Sequence, residues 1–212
     1  MPVVIDVCGL KIFKENMMKI VITGHNKGLG KALSQVFDSE ENTIIGFSRT
    51  YNCDINDEED RQKVLKELET ADMFINNAYD PVGQTELLRS AIELWDGTNK
   101  FIINIGSKCT TSFINTVENP FVRNFIDVYT VAKQEQEQLI KSRLRGSFPK
   151  ILNVIPGVID TEMASIIESK KLNPDDIASL IYQMFLLKDK IAVQELTIDV
   201  PDADWDQLKF LI

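Results

Sequence analysis

Apolar residues in this chain fall into two kinds of run. Short, nearly continuous ones recur at 19–22, Asn42–Phe47, 72–75, Phe101–Ile105, 150–155 and 193–200. Their length and continuity predict strands, mostly buried on both faces. Between them the apolar positions take helical spacing: at 31–37, in a segment ending at Leu68 with Val64 and Leu65, at 86–95 and at 125–145. Local signals set several helix ends. Asn56-Asp-Glu-Glu59 reads as a cap with an acidic first turn. Gly146 closes the long helix, and Asn173-Pro174 supplies a cap and a first-turn proline for another.

Strands alternating with helices predict parallel βαβ units and a doubly wound α/β sheet with helices on both faces, three layers in all. At 212 residues and 44% hydrophobic content the chain can bury one substantial core, which predicts a single domain over 18–212. Residues 1–17 fit the pattern less well. They read as an edge strand or a disordered leader, lacking the basic start and apolar core of a signal peptide. Between the second strand, ending near Ser48, and Cys53-Asp54-Ile55 there is no room for a parallel crossover, which takes about a dozen residues. Segment 50–56 is therefore expected to be mostly loop, with the outer edge strand of the sheet reduced or missing.

A net charge of −9 and a pI near 4.7 argue against nucleic acid or an anionic membrane as the main partner. They leave room for an anionic cofactor on a local positive patch. No apolar run is long enough to cross a bilayer. Cys8, Cys53 and Cys109 are widely spaced and odd in number, which fits reduced thiols in a cytoplasmic protein better than a disulfide framework. With one histidine and no cysteine pair at ligand spacing, no metal site is expected.

Candidate chemistry gathers where the predicted strands end. Lys19-Ile-Val-Ile-Thr-Gly-His-Asn-Lys-Gly-Leu-Gly30 runs from strand through glycine turn into helix, which aims backbone N–H groups and a positive helix end at a phosphate. Its spacing is Gly-x-x-x-Gly-x-Gly rather than the Gly-x-Gly-x-x-Gly of the common dinucleotide fingerprint. On the long helix, Tyr129-Thr-Val-Ala-Lys133 places a phenol and an ammonium one turn apart on one face. A neighbouring cation favours the phenolate, so the pair is a candidate general acid/base.

Taken in order, five motifs resemble the short-chain dehydrogenase/reductase family over about residues 18–200. They are Thr23-Gly24-His-Asn-Lys-Gly28-Leu-Gly30, Asn76-Asn77-Ala78, Ser107 after Asn104-Ile-Gly, Tyr129 with Lys133, and Pro156-Gly-Val-Ile-Asp-Thr161. The resemblance implies a shortened member with a Rossmann-like fold. Its activity would be hydride transfer between a nicotinamide cofactor and a small carbonyl or alcohol. Tyr129 would move the proton as general acid/base, Lys133 would hold the nicotinamide ribose and lower the Tyr129 pKa, and Ser107 would polarise the reacting oxygen. Gly24, Asn26, Lys27, Gly28, Leu29 and Gly30 would form the phosphate turn, with His25 on the cofactor side. Asp54 and Ile55 would embrace adenine. Asn77, Ala78, Tyr79 and Ile105 would line the crevice, and Pro156, Gly157, Val158 and Thr161 would flank the nicotinamide. An NAD-preferring site places an acidic residue at the end of the second strand. Ser48 and Arg49 stand there instead, with Lys27 in the glycine turn, and suit a 2′-phosphate. NADP(H) is therefore favoured, with NAD(H) as the second choice. The family commonly pairs through two long helices, here 84–95 and 125–145, which implies a homodimer or homotetramer.

Three departures from the family pattern stand out. Tyr79 replaces a glycine beside the cofactor. The family's catalytic asparagine, on the helix before Ser107, has no clear match, and Gln84 is a weak candidate. Residues 108–124 read as an inserted loop, with Phe113, Phe121 and Phe125 forming a pocket wall or a partner surface and Ser112 a lesser alternative to Ser107. Few residues, 162–172, remain for a substrate lid, with Met163, Ile166 and Ile167 as its apolar face. These departures motivate a second reading, a non-catalytic nucleotide-sensing or interaction protein on the same fold. Too little chain follows for the sugar-nucleotide domain of an extended epimerase or dehydratase.

Overall fold

Strand residues divide by parity, and parity assigns them to layers. The structure, a computed structural model, describes residues 17–111, 119–143, 149–201, 203 and 209–210. In chain order the elements are β1 (Met18–Thr23), α1 (Gly28–Phe37), β2 (Asn42–Phe47), α2 (Glu58–Leu68), β3 (Met73–Asn76), α3 (Gly83–Leu94), β4 (Phe101–Ile105), α4 (Pro120–Arg143), β5 (Lys150–Pro156), β6 (Ile167–Glu168), α5 (Pro174–Leu186), β7 (Glu195–Ile198) and β8 (Lys209–Phe210). Ile20, Ile22, Met73, Ile75, Ile103, Leu152 and Val154 face α1 and α5. Their neighbours Val21, Phe74, Ile102 and Ile151 face the opposite layer, built from α2, α3 and α4. Successive strand residues point to opposite faces, so a continuous apolar run feeds both cores at once.

Six strands form one parallel sheet in the order β2-β1-β3-β4-β5-β7. The order reverses between β1 and β3, so a crevice opens there at the carboxyl ends of the strands, where open α/β sheets take their ligands. The expected doubly wound, three-layer sheet is present. β2 is its edge, and segment 50–56 carries no strand: a 3-10 turn at Arg49–Tyr51 replaces the outer element.

Capping fixes the helix starts. The Asp57 carboxylate accepts from the N–H groups of Glu59 and Asp60, and the Asn173 side chain accepts from Asp175 N–H at 2.8 Å. Two helices begin earlier than their periodicity suggests. Asp80 accepts from the N–H groups of Val82 and Gly83, so α3 starts at Gly83. Asn119 accepts from Phe121 N–H at 3.0 Å and Pro120 takes the first turn, so α4 begins before the expected 125 and the loop after β4 is shorter. β7 is trimmed to Glu195–Ile198, and a small antiparallel pair, β6 with β8, was not visible as periodicity. The readings of the leader, of Ser112 and Phe113 and of the helix closure at Gly146 fall on residues outside those described. Among the described residues no helix is long and apolar enough to cross a membrane.

Asn76, Asn104 and Asn153 share the face of Phe74, Ile102 and Ile151 and lie side by side in register near the carboxyl ends of β3, β4 and β5. All three are buried. This polar row under α3 and α4 is where the sheet stops serving the core and begins to serve the crevice.

Candidate active site

The glycine turn sets the crevice's first wall. Gly24 has φ +70°, and a Cβ there would press on Asn77 Nδ2. Gly30 begins the helix so close to the strand end that a Cβ would overlap the Gly24 carbonyl oxygen. Thr23 joins this wall to the next: its hydroxyl accepts from Asn77 N–H and Ala78 N–H, both at 3.1 Å, and its carbonyl from Asn77 Nδ2 at 3.0 Å. Across the opening, Thr161 approaches Gly28, and Lys27 Nζ reaches Glu162 Oε2 at 2.9 Å. That pair is exposed on both sides and adds little stability, but it bridges the mouth.

A cavity of about 720 Å³ runs along these walls. Gly24, Asn26, Lys27, Gly28, Leu29 and Gly30 line its glycine-turn side. Ser48, Arg49, Asp54 and Ile55 line the end beyond β2, with Phe47 and Cys53. Ser48 is buried and its hydroxyl has no hydrogen-bond partner among the described residues, while Arg49 beside it is exposed. Asp54 braces its own turn, accepting from Asn56 N–H at 3.1 Å. His25 stacks on Tyr51 with ring centroids 5.3 Å apart and packs over Gly46, so it shapes the turn from outside the cavity lining.

At the other end lie Asn77, Ala78, Tyr79, Ile105, Tyr129, Lys133, Gly157, Val158 and Thr161. Ser107 and Pro156 are not in the lining. Ser107 is buried where β4 ends and accepts from Cys109 N–H, and Pro156 is held within β5 beside Ile198. Ser107 nevertheless lies close enough to Tyr129 for its side chain to oppose the rise of the phenol's pKa. Lys133 Nζ sits 5.6 Å from the Tyr129 ring centroid and 5.7 Å from that of Tyr79. The three candidate catalytic side chains thus lie close together, with Ser107 outside the cavity lining.

Charge in this pocket departs from the simple expectation for a phenol beside a cation. Burial raises the Tyr129 pKa, as does the nearby Cys109 thiol, against the opposing hydrogen bond from Ser107. Burial draws Lys133 down to about 7. Desolvation outweighs the ion attraction because the lysine is itself buried and its proton loosely held. The expected lowering of Tyr129 by Lys133 is therefore corrected: the phenol stays protonated here.

Aromatic and aliphatic groups close the pocket. Tyr79, Phe125 and Tyr129 form a cluster, with Tyr79 and Tyr129 centroids 4.6 Å apart, and Val122, Ile126, Met163, Ile166 and Ile167 extend the apolar lining. The lid segment is short but closed at its base, where Leu172 N–H donates to Val158 O and Asp160 N–H to Leu172 O.

No family model matches the chain, and no curated protein matches it. Solved structures do. The 3-alpha-hydroxysteroid dehydrogenase of a Pseudomonas species, complexed with NADH, superposes with a TM-score of 0.65 over 85% of this chain and 95% of its own, at 18% identity. The chain has the fold of a short-chain dehydrogenase. A short chain dehydrogenase from Burkholderia cenocepacia in complex with NADP matches at 0.61 and 15% identity, covering 86% of this chain and 88% of that one. The 3-ketoacyl-(acyl-carrier-protein) reductase of Brucella melitensis, complexed with NADH, matches at 0.64 and 16%, covering 88% and 98%.

Thr23 and Cys109, given no role in the sequence, and Gln84, only a weak candidate there, also border the site. Thr23 clamps β1 to the Asn77-Ala78 segment, and Cys109, whose N–H donates to Ser107, lies near enough to Tyr129 to raise its pKa. Gln84 is fully buried and accepts from Lys133 Nζ at 2.7 Å. In the sequence it stands only as a weak candidate for the asparagine of the family pattern.

Proposed function

We propose that the protein is an NADP-dependent short-chain dehydrogenase/reductase acting on a small, apolar carbonyl compound or the corresponding alcohol. The observation that carries this reading is the convergence of Ser107, Tyr129 and Lys133 at one end of a cavity that begins at a glycine turn. A dinucleotide fits the residues present. The turn at Gly24 and Gly30 has no room for side chains where backbone must approach a phosphate, and the buried Ser48 hydroxyl lacks a partner at the far end. The glycine turn would hold the pyrophosphate, Ser48 and Arg49 the adenosine ribose and its 2′-phosphate, and Lys133 the nicotinamide ribose. When bound, the cofactor supplies or accepts the hydride.

This chain's own groups do the rest. A phenol is protonated at neutral pH and so enters carbonyl reduction as the proton donor, although burial by itself makes Tyr129 a weaker acid: Tyr129 donates to the developing alkoxide, with Ser107 close to the phenol. Tyr79, Phe125 and the lid residues Met163 and Ile166 exclude water and select an apolar substrate.

Titration with NADPH followed by a panel of apolar aldehydes and ketones tests this reading. The wild type binds NADPH and oxidises it with at least one substrate class, and Tyr129→Phe binds equally well but turns over at a hundredth of the rate or less. Unchanged turnover in that variant overturns the assignment. A second reading, a non-catalytic dinucleotide sensor, draws support from Tyr79, whose ring stands beside Lys133 and Tyr129. NADPH binding with no oxidation across the panel would favour it.

A further inference from the structure

Lys133 is an ammonium in a neutral cage. It is 2% exposed. On α4, Tyr129 lies one turn before it and Glu137 one turn after, but the Glu137 carboxylate is engaged by Thr110 and Lys141. Tyr79 faces it from the end of β3 and Cys109 from the turn after β4. Its hydrogen bonds go to two uncharged oxygens, Gln84 Oε1 at 2.7 Å and Ile105 O at 2.6 Å.

Gln84 has no freedom to face anything else. Its Nε2 donates to Asn76 O at 3.0 Å and to Ile105 O at 3.2 Å, which leaves only the amide oxygen for Lys133. Behind it stands the asparagine row. Asn76 Nδ2 donates to Gln84 O and to Asn104 Oδ1, both at 3.0 Å. Asn104 Nδ2 donates to Asn153 Oδ1 at 3.0 Å and to Gln136 Oε1 at 3.4 Å. Gln136, one turn beyond Lys133 on α4, donates in turn to the Thr85 hydroxyl, next to Gln84. The network leaves Lys133 and returns to the same two helices, so it fixes α3, α4 and three strands around a single nitrogen.

We propose that Gln84, clamped by this amide network, is the positioning residue for Lys133. It holds the ammonium at the cavity wall beside Tyr129, and because it is neutral it leaves the lysine free to give up its proton near neutral pH. The proposal rests on the dehydrogenase reading for what Lys133 then does, but not for the contact itself. A carboxylate in the same place would fix the nitrogen equally well and lock its charge. Burial loosens the proton, and a neutral amide leaves that effect unopposed where a carboxylate would cancel it.

The test uses the full-length protein and the variants Gln84→Glu, Gln84→Asn and Gln84→Leu. Lysine side-chain NMR, with the Lys133 signal identified by its loss in Lys133→Met, follows the titration of this one amine without cofactor. NADPH affinity is measured in parallel from pH 6 to 9. In the wild type Lys133 titrates near 7, and Gln84→Glu moves that midpoint upward by a pH unit or more, together with the pH at which NADPH affinity falls. Gln84→Leu weakens NADPH about tenfold at pH 7, and Gln84→Asn, one methylene too short, does not rescue it. A Lys133 midpoint unmoved by Gln84→Glu, or full NADPH affinity in Gln84→Leu, overturns the proposal. A purely structural role would lower the melting temperature and leave both midpoints alone. If the wild type binds no dinucleotide, the dehydrogenase reading fails, and the NMR titration still decides whether Gln84 positions the amine.

Discussion

The rings of Tyr79 and Tyr129 lie 4.6 Å apart and tilted by 54°, so the residue that follows Asn77-Ala78 packs directly on the candidate acid/base. The Tyr79 hydroxyl is buried with no hydrogen-bond partner among the described residues, and burial pushes its pKa up to about 12. An unpaired buried hydroxyl costs stability, while the ring contributes packing. Tyr79→Phe should therefore leave the melting temperature unchanged or raise it. A fall of several degrees would reveal a partner for the hydroxyl. Tyr79→Ala should open the pocket and lower KM for bulkier ketones, read from a homologous substrate series.

Lys133 makes folding stability depend on pH. Its amine titrates at about 7 in the fold against 10.5 for a free lysine. Below 7 both states hold the proton and the fold bears the full cost of a buried charge. Between 7 and 10.5 the unfolded chain holds a proton that the fold has lost, so stability climbs with pH, by at most about 1.4 kcal/mol per pH unit. Cys53 and Cys109, raised by burial, act oppositely once the unfolded thiols titrate near 9. Urea unfolding between pH 6.5 and 8.5 should show the rise in wild type and a flatter profile in Lys133→Met. Equal slopes would mean that Lys133 is not depressed.

Arg49 should decide between the two dinucleotides. It stands exposed beside the unpartnered Ser48 hydroxyl. Arg49→Ala should weaken NADPH about tenfold and leave NADH nearly unchanged, measured by fluorescence titration at constant salt. Equal losses for both would place Arg49 away from the 2′ position.

Gly30 is the tightest point of the turn. A methyl group there would overlap the Gly24 carbonyl oxygen, which is backbone and cannot swing aside. Gly30→Ala should cost roughly 2 kcal/mol or more and abolish dinucleotide binding. Gly97→Ala is the control. It too has positive φ, but nothing lies within 4 Å of its added carbon, so it should cost about 1 kcal/mol and spare binding.

Much of this was legible in the sequence because it is local. Strand runs such as 42–47 and 101–105, the Asn173-Pro174 cap and the short stretch after Ser48 each depend on neighbours a few residues away. What stayed hidden depends on distance across the sheet. Nothing in the spacing of Gln84 and Lys133 announces a 2.7 Å hydrogen bond between α3 and α4. Burial likewise belongs to the whole fold, which is why the Tyr129 phenol titrates opposite to what its neighbouring lysine suggested. The early start of α4 was missed for another reason: Phe121 and Phe125 are exposed, so helical periodicity there carries no core stripe to detect.

Aligned amides also act as a ratchet on assembly. Sliding β4 by one residue against β3 or β5 would carry Asn104 to the opposite layer, among Ile103's apolar neighbours, and strand Asn76 and Asn153 without their mates. Isoleucine runs alone would tolerate such a shift, since every position is greasy. The asparagines make the wrong alignments expensive, so a chain that mispairs these strands cannot trap itself comfortably, and a variant that loosens the row should refold less faithfully as well as bind less well.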